Sequence, residues 1–74
     1  MGRLRVLSGR EACRILADHG FAKVRRHGSH IVMQRRLGKS TITVPVPDHP
    51  ELRVGTLLSI IRQSQLTRTL FETS

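Results

Sequence analysis

The sequence predicts an α+β fold in which two helices pack on one face of a three-stranded antiparallel sheet, in the order α-β-β-β-α, with the other sheet face open. Three observations predict it. An amphipathic stripe follows a capping signal near the start, three short extended runs are separated by glycine turns, and a second apolar stripe follows a proline-punctuated loop. At 74 residues the sequence has room for one small domain, spanning 1–74, and a chain of that size buries only roughly 60% of the surface it exposes when unfolded. A deep, enclosed active site is not expected.

Ser8-Gly9-Arg10-Glu11 reads as a capping box, the Ser8 hydroxyl accepting the Glu11 amide and the Glu11 carboxylate reaching back to the Ser8 amide. Leu7 and Ala12 flank it as a hydrophobic staple. Ala12, Ile15, Leu16 and His19 then recur at helical spacing and Gly20 is a stop signal, so the first helix runs from about Gly9 to His19. His19 is either a cationic cap on the helix's negative end or a second functional imidazole, and the position favours the cap.

Phe21–Arg26, His30–Arg35 and Ser40–Val44 read as strands, the last rich in β-branched residues. Gly28 and the link Arg36-Leu37-Gly38-Lys39 supply the turns of an antiparallel meander. The period of two puts His30, Val32 and Gln34 on one side and Ile31, Met33 and Arg35 on the other, without deciding which side is buried. Pro45, Pro47 and Pro50 are expected to end the sheet, because proline donates nothing to a ladder. Val44–Leu52 then becomes an extended loop carrying His49, which either helps bind phosphate or is simply solvated. Val54, Leu57, Leu58 and Ile61 mark a second helix over Val54–Ser64, with Arg62 in its last turn. Leu66–Phe71 reads as one further turn with Thr67 as its cap, and the last residues are expected to fray.

Thirteen Lys and Arg against five Asp and Glu give a net charge of +8, a field that favours nucleic acid or an acidic protein. A merely soluble basic surface is the competing reading, since the charge is spread along the chain and Phe21 and Phe71 are the sole aromatics. Binding driven by this charge is expected to weaken steeply with salt. Cys13 is alone, which excludes an internal disulfide and suggests a core filler in a reducing cytoplasm. No run approaches the ~20 apolar residues of a membrane span. No secretion signal is visible, and the expected location is cytoplasmic.

The chain is organised around Arg25-Arg26-His27-Gly28-Ser29-His30-Ile31-Val32-Met33, a basic strand entering a glycine turn and an apolar strand leaving it with a histidine. An imidazole titrates near neutrality and can pass a proton, and cations around it attract phosphate. The stretch therefore suits chemistry on a polyanion, and if that polyanion is RNA, as the family resemblance described below implies, it brings its own nucleophile, the 2′-hydroxyl. Cleavage therefore needs a base, which His30 can supply, and positive charge for the developing phosphorane, which Arg25, Arg26 or Lys39 can supply. The candidate RNA-binding residues are Arg25, Arg26, His27, Gly28, Ser29, Arg35, Arg36 and Lys39. No metal or other cofactor is required. His27 and His30 lie three apart, but a zinc site needs three or four ligands and the sole thiol is in the first helix. With one histidine the reaction is expected to be slow, since acid–base assistance contributes about 10²–10⁴-fold per group. A non-catalytic double-stranded-RNA-binding module is the alternative, and a basic adaptor for an acidic protein a weaker third.

Gly28-Ser29-His30, Ile31-Val32-Met33, Ile42-Thr43-Val44-Pro45, Gly55-Thr56-Leu57 and Ile60-Ile61-Arg62-Gln63, in this order and spacing, resemble the HicA (YcfA-like) toxin family across nearly the whole chain. The resemblance implies a double-stranded-RNA-binding-like fold and an mRNA interferase that arrests translation by cutting RNA. It also implies a HicB-type antitoxin that masks the active face. The family's catalytic histidine falls on His30, with Gly28 and Ser29 completing the motif. Two positions depart from the family pattern. Val46, Pro47 and Asp48 stand between the Val44-Pro45 pair and His49, and Gln65 occupies the place of a helix-ending glycine, at a cost of up to ~1 kcal/mol if left-handed.

Overall fold

In a computed structural model, which describes residues 2–73, the elements follow the predicted order. They are helix α1 (Gly9–Asp18), strands β1 (Ala22–His27), β2 (His30–Leu37) and β3 (Ser40–Pro47), helix α2 (Val54–Ser64), and a 3₁₀ turn over Arg68–Phe71. The sheet is an antiparallel meander with β2 in the centre.

The capping box forms as read: the Glu11 amide donates to the Ser8 hydroxyl at 3.1 Å and the Ser8 amide to the Glu11 carboxylate at 2.8 Å. Leu7 and Ala12, on either side, are both buried. Helix α1 ends at Asp18, one residue short of the expectation, because His19 serves as its C-cap and its ring Nδ1 lies 2.9 Å from the Ile15 carbonyl. His19 therefore closes a helix.

Alternation decides the buried side. Ile31 and Met33 of β2 and Ile42, Val44 and Val46 of β3 point into one core with Leu16 of α1, Leu57 and Ile60 of α2, and Phe71. His30, Val32 and Gln34 fall on the opposite face. Val32 is nonetheless 6% exposed there, screened between its cross-strand partners Arg25 and Pro45.

The third strand runs past its predicted end. Pro45 and Pro47 belong to β3, opposite Val32 and His30. Only the β2 side of β3 is paired, so a proline whose missing N–H would have faced outward removes no ladder bond. The prolines therefore end the strand only after Pro47, and the loop to α2 shortens accordingly.

Two smaller expectations are corrected at the C-terminus. Thr67 precedes the 3₁₀ turn, but its hydroxyl pairs with that of Thr69 at 3.0 Å and caps no amide. Glu72 and Thr73 are held, with Leu4 bridged to Glu72 and the Thr73 amide donating to the Arg3 carbonyl at 2.7 Å. Ser74 lies outside the described residues.

Helix α2 matches its predicted span and ends on Gln65 in the left-handed region, φ 61° and ψ 17°. Buried Ser64 seals this end: its hydroxyl donates to the Ile61 carbonyl at 2.8 Å and accepts the Leu66 amide at 3.1 Å. A side chain in this conformation is strained. Gln65→Gly is accordingly expected to stabilise the protein by about 1 kcal/mol, read as a higher urea midpoint at an unchanged slope. An unchanged or lower midpoint would show that the Gln65 side chain compensates for its backbone.

Candidate functional site

The site begins at the first of the sheet's two two-residue turns. His27 and His30 oppose each other in the ladder, and Gly28-Ser29 joins them. Gly28 has φ 62° whereas Ser29 has no positive φ, the pattern of a II′ turn, whose twist matches that of paired strands. Directly opposed residues share a sheet face, so both imidazoles stand on the open side, and both residues are exposed. Pairs of this kind hold their Cβ atoms about 4.5–5.5 Å apart.

Alternation from the turn sorts the two arginines: Arg25 opposes Val32 on the open face while Arg26 opposes Ile31 on the helix side. A bulge before them, between Lys23 and Arg25, puts Lys23 on the helix side opposite Met33. Arg25 thus shares a face with both histidines. Arg26 is engaged elsewhere: its Nε donates to the Gly28 carbonyl at 3.2 Å and its Nη2 lies 2.8 Å from Asp48 Oδ2.

Asp48 is the junction that sequence reasoning missed. Its other oxygen receives Arg10 Nε of α1 at 3.3 Å, and its backbone amide donates to the Ser29 carbonyl at 2.6 Å. Gly9, the first residue of α1, donates its amide to the His49 carbonyl at 2.9 Å. Both central carbonyls of the histidine turn are therefore bonded, one to Arg26 and one to the backbone at the end of β3, and α1 is tied to the same point. The signal available in the sequence was weak. With five acidic residues against thirteen basic ones, Asp48 has many possible cationic partners, and nothing in its spacing singles out Arg26 or Arg10.

The other candidates do not converge on the turn. Arg35 lies on the helix side opposite Ile42, half-buried, with its side chain over Gly20. Arg36 shares the open face, opposite Thr41, and Lys39 sits in the second hairpin turn. At about 3.3 Å per residue along β2, Arg36 and Lys39 are roughly 20 Å or more from His30. His49 is exposed two residues beyond the Val46-Pro47 pair that ends β3. The Val-Pro strand end is thus Val46-Pro47, and His49 lies closer to it than counting from Val44-Pro45 suggested.

A groove of about 400 Å³ opens on the helix side, lined by Arg10, Cys13, Arg14, Ala17, Lys23, Ile31 and Met33. It lies across the sheet from the imidazoles. Cys13 is half-buried and packs against the edge of the core, and burial pushes its thiol up from the usual range, so the unreactive protonated form is favoured. Among the described residues no three His, Cys, Asp or Glu are grouped to hold a metal ion. None of the described helices is long and apolar enough to cross a membrane.

Residues 9–66, which include the turn, the Asp48 junction and α2, match the model of a family described as the HicA toxin of bacterial toxin-antitoxin systems. The chain belongs to the HicA toxin family. No curated protein matches it. Family membership makes it the toxin of a toxin-antitoxin pair, with an antitoxin as its partner.

In this HicA-family protein the junction has a pH signature. The Arg26 hydrogen bond, then that of Arg10, holds the Asp48 carboxyl below the ordinary aspartate range. A carboxyl with a depressed folded pKa contributes stability that is complete above the unfolded value, about 3.9, and is lost as pH falls through the lowered one. Asp48→Asn is therefore expected to destabilise the protein at pH 7, with the gap to wild type narrowing below about pH 4. Urea unfolding at pH 7 and pH 3 checks this, and an equal gap at both would rule out the ionised carboxylate as the source.

Proposed function

We propose that this toxin is an mRNA interferase, a metal-independent endoribonuclease in which His30 activates the 2′-hydroxyl of RNA. The observation that carries the reading is an exposed imidazole at the first residue of β2, fixed by a braced two-residue turn, with Arg25 on the same open face. An open face suits a long substrate better than an enclosed pocket. His30 takes the 2′-hydroxyl proton, the 2′-oxygen bonds to phosphorus, and Arg25 stabilises the charge that builds on the phosphoryl oxygens. Arg26 acts from behind by bracing the turn. His27, Gly28 and Ser29 form the surface the RNA meets, and Arg36 and Lys39 extend the attraction for its backbone farther along the sheet. Arg35, on the helix side, adds to the overall field.

Cutting mRNA arrests translation, and a HicB-type antitoxin restrains the toxin by covering the open face. The cytoplasm, where mRNA is translated, is its place of action. Attack by the neighbouring hydroxyl has a distinctive product. Purified toxin incubated with mRNA in excess EDTA is expected to yield fragments ending in 2′,3′-cyclic phosphate and beginning with 5′-hydroxyl. RNA left intact at saturating binding would favour the non-catalytic RNA-binding module, and 5′-phosphate ends would exclude the 2′-hydroxyl as nucleophile.

A further inference from the structure

A base alone leaves half of the reaction unassisted. Expelling the 5′-oxygen as an alkoxide is unfavourable in water, so a group that protonates it as the P–O bond breaks contributes as much as the base does. The required group is a second titratable side chain on the same face, within one phosphate's reach of His30.

The register supplies one. His27 is His30's direct cross-strand partner across the two-residue turn, exposed on the same face, with nothing but Gly28-Ser29 between them in the chain. We infer that His27 is the general acid of the cleavage, so that the toxin works with a pair of imidazoles; this rests on the ribonuclease reading above. Cβ atoms about 4.5–5.5 Å apart let two rings splay to the attacking and leaving oxygens of one phosphorane.

The proton accounting closes. The 2′-oxygen gives its proton to the neutral His30 ring as the O2′–P bond forms. The P–O5′ bond breaks, and the leaving oxygen takes a proton from the His27 imidazolium. Products are a 2′,3′-cyclic phosphate and a 5′-hydroxyl, with His30 protonated and His27 neutral until water restores both. No oxidant, reductant or metal enters.

The surroundings suit an imidazolium that donates. On the open face β1 contributes Arg25 as the other charged neighbour. Strand β3 contributes Thr41, Thr43, Pro45 and Pro47, none of which titrates. The helices lie behind the sheet, and the nearest acid, Asp48, is already occupied by Arg26 and Arg10. No described carboxylate on this face competes for either imidazole's proton.

The test uses two RNA substrates, one ordinary and one with sulfur in place of the 5′-bridging oxygen at the cleaved bond, because a thiolate leaves without a proton. His27→Ala is expected to slow cleavage of ordinary RNA by about 10²–10⁴-fold and to cleave the sulfur substrate at close to the wild-type rate. The variant is also expected to lose the alkaline fall of the pH–rate profile while keeping the acidic rise. Equal slowing on both substrates would overturn the acid role and leave His27 as a binding or structural residue. An unslowed variant would overturn it as well. Wild-type toxin that cuts neither substrate would remove the ribonuclease reading itself, an outcome distinct from failure of the His27 assignment.

Discussion

His30→Ala is expected to leave RNA binding nearly unchanged while slowing its cleavage by about 10²–10⁴-fold, the usual contribution of a general base. The separation of the two effects follows from position. His30 is exposed at the end of a hairpin, and its ring supports none of the core formed by Ile31, Met33, Val44 and Val46 on the other face. Removing it should alter stability by no more than about 0.5 kcal/mol, which thermal unfolding will verify. Binding rests mainly on the net charge of +8, which the substitution does not touch. The variant should therefore hold RNA and fail to cut it. If His30→Ala cleaves at the wild-type rate, the base lies elsewhere, and exposed His49 becomes the next residue to test.

Element types and order were legible because local signals agreed. Ser8 and Glu11 cap α1, Gly28 and Gly38 take the positive φ their turns need, and the α2 stripe sets its span. The prolines of β3 were misread for a reason outside the strand. Whether a missing N–H matters depends on strand order, and order is a property of the whole sheet. The same limit applied to the site. Arg25 and Arg26 are adjacent and chemically identical; alternation puts them on opposite faces, and the bulge beside Val24 defeats any count of faces from buried Phe21, so the register at the turn is what directs Arg26 toward Asp48. The Arg10–Asp48 contact joins residues 38 apart, a separation no periodicity reports.

Gly9→Ala should be the most damaging single-methyl change in the protein, although alanine is normally the better helix residue. Gly9 is buried where α1 meets the end of β3, and a Cβ there would overlap the Pro47 carbonyl and press on the Asp48 backbone. None of these atoms is the tip of a flexible side chain. Either α1 tilts or the Pro47–His49 segment withdraws, and both movements strain the Gly9–His49 bond and the Arg10–Asp48–Arg26 junction behind the histidine turn. Overpacking typically costs 1–3 kcal/mol, and a clash with backbone belongs at the upper end. About 3 kcal/mol corresponds to a fall in Tm of roughly 12–24 °C for a chain this short. Gly55→Ala is the matched control: Gly55 lies in the first turn of α2, an added Cβ would meet nothing within 4 Å, and the loss of glycine's flexibility should stabilise by up to about 1 kcal/mol. Opposite shifts for the same chemical change would locate the penalty in the α1–β3 contact. Equal shifts would mean that this contact yields easily.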